Sequence, residues 1–365
     1  MESVRIPPFP FLSQGGFRKC SRRREEAEID CQQKSASLRR RLRAFPRVLE
    51  SALLLSLVAL GVLTGGCGKS TDRPITAKPK IALVMKSLAN EFFSSMADGA
   101  KKHQSAHAAD YDLIVNGIKN ETDLAEQVGL VEQMIARRVN AIVIAPADSK
   151  ALVTVLKRAQ DAGIAVVNID NKLDAETARQ AGLRVPFVGP DNREGARRVG
   201  EALAKHLKAG DKVALIEGIP TAFNGQQRRL GFEEAMKAAG INIVTVQSGY
   251  WEMDKANNVA AAILNEHAEL KAILCCNDSM ALGAVAAIQA ASKAGKVMVV
   301  GFDNIRAIRP MLEDGRITAS AEQHADQLAV FGIEAALRIL KGEASTVDRA
   351  TALEIVTGAG APSGQ

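Results

Sequence analysis

At 365 residues, 47% hydrophobic but only 4% aromatic, the chain is long enough for two domains that each bury a core. Its Ala, Val, Leu and Ile content favours helices packed on sheets over a β-sandwich. The formal charge of +6 belongs to the leader: 12 of the 47 Lys and Arg and 6 of the 41 Asp and Glu fall in residues 1–66, which leaves 35 of each sign beyond them. A formally neutral body offers no stripe of cations to displace counterions from a duplex, which excludes nucleic acid as a partner.

In chain order, residues 1–38 carry two cysteines and mixed charge and follow no targeting pattern, so a translation start near Leu38 is expected. Arg39, Arg40, Arg41, Arg43 and Arg47 then precede the uncharged stretch Ser51–Gly66 and Cys67. Charged, apolar and small residues in that order form a signal peptide, and the apolar run is shorter than the about 20 residues of a membrane span. Its end, Leu63-Thr64-Gly65-Gly66-Cys67, resembles a bacterial lipobox, which makes Cys67 the expected lipid anchor. The alternative is an incidental thiol behind a cleaved secretory peptide. Export to the periplasm or cell surface follows either way. Residues 67–79 read as a polar tether.

From residue 80 short apolar runs alternate with amphipathic stretches at the spacing of βαβ units. The predicted strands are Ile81–Met85, Tyr111–Val115, Ala141–Ile144, Ala165–Ile169, Val185–Val188, Lys212–Ile216, Ile241–Val246, Ala272–Cys276, Val297–Gly301 and Ile317–Ser320. Helical periodicity marks Glu91–His103, Asp123–Arg138, Lys150–Ala162, Glu194–Leu207, Gln227–Ala239, Lys255–Glu266, Ser279–Lys293 and Asp326–Leu340. Ten strands exceed one ordinary open sheet, so the expected fold is α/β: two doubly wound parallel-sheet domains.

In such sheets ligands bind beyond the carboxyl ends of the strands. Those ends carry Lys86-Ser87, Asp148-Ser149, Asp170-Asn171, Asp191-Asn192, Glu217, Asn277-Asp278, Asp303-Asn304 and Glu322-Gln323. Carboxylates accept hydrogen bonds while amides both accept and donate, so paired they saturate the hydroxyls of a sugar or polyol. The competing reading is helix capping, strongest for Asp148, Asp191 and Asp278. Trp251, in a loop after a strand, and Phe92 and Phe93, opening a helix, offer rings for the C–H faces of such a ligand.

Other chemistries find no support. The five cysteines lack metal-ligand spacing, and adjacent Cys275 and Cys276 read as small buried residues. Of the five histidines only His324 lies beside a candidate, and no nucleotide, nucleophile-elbow or zinc motif appears. Neither an enzyme nor a cofactor is expected.

Ile81–Phe93 (IALVMKSLANEFF), Ala145–Ser149 (APADS), Val167–Asp170 (VNID), Cys276–Ala284 (CNDSMALGA) and Val299–Asp303 (VVGFD) resemble the periplasmic ribose-binding protein family of ABC transporters, from about residue 80 to about residue 355. The resemblance implies two lobes joined by three crossovers, near Val188–Asp191, near Gln323 and near residues 352–355. The first lobe would comprise residues 80–189 plus 324–352, and the second 190–323 plus 353–365. It also implies ligand contacts from Asn90, Phe92, Phe93 and Asp170 in the first lobe, and from Arg228, Trp251, Asn277, Asp303 and Gln323 in the second.

Three positions depart from the family pattern. Lys86 stands where a serine is usual, Ala145 replaces an asparagine, and Asn171 replaces an arginine beside Asp170. Losing that arginine removes a rigid fork of donors. Lys86 then either reaches a longer ligand or neutralises Asp170. These changes point to a small sugar or polyol other than ribose, with Lys86 and Asn171 still among the contacts.

The resemblance further implies a monomer that closes on its ligand and delivers it to an ABC permease with its ATPase subunit, touching the membrane through its lipid alone. A ligand carrier for a chemoreceptor is the alternative on the same fold. A regulator of the lactose-repressor type would need a helix-turn-helix where the signal peptide stands.

Overall fold

Strand β1 (Lys80–Met85) is apolar after its first residue and buried throughout that run, as suits the middle of a parallel sheet with both faces covered. Ile81, Leu83 and Met85 pack to one side and Ala82 and Val84 to the other. The computed structural model describes residues 78–343 and 347–358. The leader, Cys67 and nearly all of the tether lie outside the described residues.

The first lobe runs β1, α1 (Glu91–Ala106), β2 (Asp112–Gly117), α2 (Leu124–Ala136), β3 (Ala141–Ile144), α3 (Val153–Asp161), β4 (Ala165–Ile169), α4 (Ala175–Gln180) and β5 (Phe187–Gly189). The second runs α5 (Asn192–Ala204), β6 (Lys212–Glu217), α6 (Phe223–Ala238), β7 (Asn242–Ser248), α7 (Met253–Glu266), β8 (Ala272–Cys275), α8 (Asp278–Ala290), β9 (Met298–Val300), a 3-10 turn (Arg306–Ile308), α9 (Arg309–Glu313) and β10 (Ala319–Glu322). Helix α10 (Ala325–Leu340) returns to pack on α1, β3 and β4. Strand β11 (Arg349–Ala350) joins the first sheet, and β12 (Glu354–Thr357) the second.

The two sheets share one topology. Their strand orders are β11-β5-β4-β3-β1-β2 and β12-β10-β9-β8-β6-β7, parallel except for the antiparallel β10–β12 pair. Each is doubly wound with its switch point beside its first strand, and the crevice there opens at the carboxyl ends. The chain passes between the sheets after Gly189, between Glu322 and Ala325, and between Ala350 and Glu354.

The ten expected strands are present, and two short ones, β11 and β12, join them. Of the three expected caps, Asp191 caps α5 by accepting from the backbone N of Arg193 and Glu194, while Asp148 accepts from those of Lys150 and Ala151 in a turn ahead of α3, whose N-cap Leu152 makes no side-chain bond. Asp278 is not a cap. Asn277 caps α8 by accepting from Met280 N at 2.9 Å, and buried Asp278 instead accepts from Ile305 N at 3.0 Å and Ser320 Oγ at 2.9 Å. Cys275 and Cys276 are free and buried, and burial pushes both thiols up, Cys276 to about 12.

Candidate functional site: a polar cavity between the lobes

The strand ends of the two sheets meet around a narrow cavity. Lys86 enters from the end of β1, Asn90, Phe92 and Phe93 from the start of α1, and Asp170 from the end of β4. The second lobe contributes Arg228 from α6, Trp251 from beyond β7, Asn277 from beyond β8 and Asp303 from beyond β9. Two lining residues lie outside the sequence-based expectation, Glu121 in the loop after β2 and Asn224 in the first turn of α6.

The walls are held in place by local structure. Asn90 caps α1, its Oδ1 accepting from Phe92 N at 3.1 Å, which orients the edge-to-face rings of Phe92 and Phe93, 5.2 Å between centroids. Trp251 lies flat over Gly218, where an added Cβ would stand 2.1 Å from the indole. Asp170, Trp251 and Asp303 hold φ of 61°, 69° and 116°, the left-handed region that non-glycine residues rarely occupy. Three strained residues around one cavity follow the pattern of functional sites, where the surrounding structure enforces conformations the chain would otherwise avoid.

Charges inside are paired within each lobe. Lys86 Nζ stands 3.3 Å from Asp170 Oδ2, both side chains buried, and 5.5 and 5.6 Å from the ring centroids of Phe93 and Trp251. Neutralisation of Asp170 by Lys86 is thus built into the first lobe. In the second, Arg228 stacks on Phe302 with its guanidinium 3.9 Å from the ring centroid. It donates to Asn192 Oδ1 at 2.7 Å, to Cys276 O at 2.9 Å and to Asp303 Oδ1 at 3.2 Å. Burial pushes Asp303 well above the usual carboxylate range; Arg228 pulls it back, while Asp278 and Asp170 add to the rise. Glu121 is pushed up to about 7, chiefly by burial, against the pull of Lys86 and a hydrogen bond from Asn90.

Two of the expected contacts sit outside the lining. Asn171 is fully buried and committed to protein: its Nδ2 donates to Pro146 O at 2.9 Å and its Oδ1 accepts from Ser149 Oγ and Asn224 N. Gln323 stands behind Asp303, donating to its Oδ1 at 2.5 Å. Ala145 is buried in the core.

Several hydrogen bonds tie one lobe to the other. Ser149 Oγ accepts from Phe223 N at 2.9 Å, and Asn171 Oδ1 from Asn224 N at 3.1 Å. Across the cleft, Glu91 Oε1 accepts from Arg306 N at 2.9 Å and its Oε2 from Ala307 N at 3.1 Å. The lobes are therefore closed on one another.

Buried polar atoms are almost always hydrogen-bonded, and one left unpaired costs about 1–3 kcal/mol. Two lining residues carry such atoms without a protein partner, the acceptor Glu121 Oε2 and the donor Trp251 Nε1, whereas Asp170 Oδ2 is paired with Lys86 Nζ. A group that both donates and accepts, set among aromatic faces, complements them. Among the described residues no cluster of His, Cys, Asp and Glu is arranged to hold a metal ion.

Two doubly wound lobes closed over a polar, aromatic-walled cavity define a two-domain ligand-binding protein. Residues 81–344 match the periplasmic binding protein domain, and the chain belongs to that family, with the type I fold. A D-ribose/D-allose-binding protein of Pseudomonas aeruginosa is 59% identical over 284 residues, covering 77% of this chain and 89% of that protein. The crystal structure of an ABC transporter solute-binding protein from Burkholderia multivorans shares 59% identity with a TM-score of 0.75, covering 77% of this chain and all of the other. One from Actinobacillus succinogenes with bound D-allose shares 36% at a TM-score of 0.72, covering 77% and 98%. Relatives and fold alike are those of substrate-binding proteins, not enzymes.

Proposed function

We propose that this chain is the extracytoplasmic substrate-binding lipoprotein of an ABC transporter, taking up an aldose of the ribose and allose type and handing it to the permease and its ATPase subunit. The observation that carries this reading is the unpartnered acceptor on Glu121 and donor on Trp251 in the polar, aromatic-walled cavity where the strand ends of both lobes converge. The 59% identity to a protein named for D-ribose and D-allose supports the sugar class. Lys86, Asn90, Phe92, Phe93, Asp170, Arg228, Trp251, Asn277 and Asp303 are the proposed contacts. Gln323 acts behind them by fixing Asp303.

Ribose stays within the proposed class. The arginine missing at 171 does not count against it, because Asn171 is engaged with Pro146, Ser149 and Asn224 instead of the cavity. Lys86, paired with Asp170 in the first lobe, leaves the hydroxyl-binding groups of the second lobe unaltered.

Binding is a hinged clamp: one open lobe takes the sugar, and closure adds the contacts of the other and excludes water. The lobes so proposed are residues 80–189 with 324–352 and 190–323 with 353–365, the protein is a monomer, and Cys67 carries the lipid.

Thermal-shift screening of the purified protein against aldoses, polyols, inositols and sugar acids tests the ligand class, because a bound ligand raises Tm by mass action. D-ribose and D-allose are expected to raise it, and failure of every sugar and polyol refutes the reading. Small-angle scattering should show compaction on ligand addition. Labelling with a radioactive fatty acid, lost in C67A, checks the anchor.

A further inference from the structure

Glu121 reaches the cavity from the loop between β2 and α2, on the first lobe. Its residue is 2% exposed. One carboxylate oxygen, Oε1, accepts from Asn90 Nδ2 at 3.1 Å. Asn90 is itself fixed by the helix cap it makes to Phe92 N, so the carboxylate has little freedom to turn. The other oxygen, Oε2, is buried and has no protein partner.

The position of this oxygen matters as much as its burial. Glu121, Asn90 and Trp251 line both the inner cavity and an outer groove that continues between the lobes past Ser87, Glu252 and Ser279. On the other side, Phe92 and Asp303 line a second groove. The cavity therefore has two distinct ends, and Glu121 stands at one of them, beside Trp251.

We propose that Glu121 is a specificity-determining residue whose Oε2 accepts a hydrogen bond from a hydroxyl at the Trp251 end of the bound sugar. The proposal rests on the sugar-binding reading above and adds to it a third carboxylate, beyond Asp170 and Asp303. A buried acceptor built for a hydroxyl discriminates strongly against a ligand that lacks one there, since the acceptor is then left unpaired. The oxygen's task is to tell apart sugars that agree in their remaining hydroxyls.

The test is isothermal titration of wild type and E121Q with D-ribose, D-allose and their monodeoxy and monodeoxyfluoro forms at pH 8, above the Glu121 midpoint of about 7. Fluorine accepts weakly and cannot donate, whereas in E121Q the amide nitrogen replaces the accepting oxygen with a donor. At one ring position the deoxy and fluoro forms should bind wild type about 10-fold or more weakly than the parent sugar, as expected for a hydrogen bond to a charged group. In E121Q that penalty should disappear for the fluoro form.

A purely structural Glu121 would weaken every ligand alike, and position-independent penalties in the two proteins overturn the proposal while leaving the sugar-binding reading intact. Should wild type bind neither parent sugar, both fall together.

Discussion

Replacing Glu91 by alanine removes a latch that acts only in the closed state. Its carboxylate spans the cleft from the first turn of α1 to the backbone N–H groups of Arg306 and Ala307, at 2.9 and 3.1 Å. Hydrogen bonds to a charged group are worth about 1.5–3 kcal/mol each when buried. The Glu91 side chain is 29% exposed, so water competes, and about 2 kcal/mol for the pair is a reasonable net value. Arg306 Nε, 3.9 Å away on a side chain 85% exposed, adds little.

A loss of about 2 kcal/mol shifts the closing equilibrium about 30-fold toward the open form, and apparent affinity falls by the same factor when the closed form is the minor one without ligand. E91A is thus expected to bind sugar about 10- to 30-fold more weakly, and E91Q, which keeps one carbonyl acceptor, less so. Titration calorimetry measures the affinity. Thermal unfolding without ligand serves as the control, since the lost charge at a helix N-terminus costs at most about 1 kcal/mol. Unchanged affinity in a folded E91A refutes the reasoning, because the latch would then contribute nothing to closure.

Three further outcomes are expected. R228A strands Asp303 in the interior and should cost about 3–5 kcal/mol in urea denaturation, while R228A/D303N recovers much of it; equal stability of single and double variants refutes the pairing. G218A forces a methyl group to within 2.1 Å of the Trp251 ring, and should cost about 1–3 kcal/mol through overpacking together with a drop in sugar affinity. For Glu121 the folded-state pKa of about 7 lies above the ordinary 4.5, so between these values the native state holds a proton that the unfolded chain has lost. Stability should therefore fall as pH rises across that window, by about 3 kcal/mol in all. E121Q lacks this component, and urea midpoints of the two proteins at pH 5 and pH 8 should diverge accordingly.

The main strands were legible because a parallel sheet covered on both faces requires continuous apolar runs, as in β1, β3 and β8. Strands β11 and β12 were not, since two residues and a half-exposed edge carry no such run and form only by joining a finished sheet. Helix α4 buries none of its residues and so lacks a periodic stripe.

The site residues at strand ends could be found because topology gathers those ends. Glu121 escaped because β2 extends to Gly117 and its loop reads as surface. Asn224 escaped because α6 begins after Ala222, which makes no side-chain cap, so the helix appeared to start later. Asn171 shows the opposite limit. Its place beside Asp170 was legible, but its use as a bridge to Asn224 depends on a partner 53 residues away.

The cation and carboxylate of each cavity pair come from the same lobe, Lys86 with Asp170 and Arg228 with Asp303. Inside the cavity, opening therefore separates neither of these pairs, and the contact of Glu91 with Arg306 across the cleft is long and exposed. Capture and release should then depend only weakly on ionic strength.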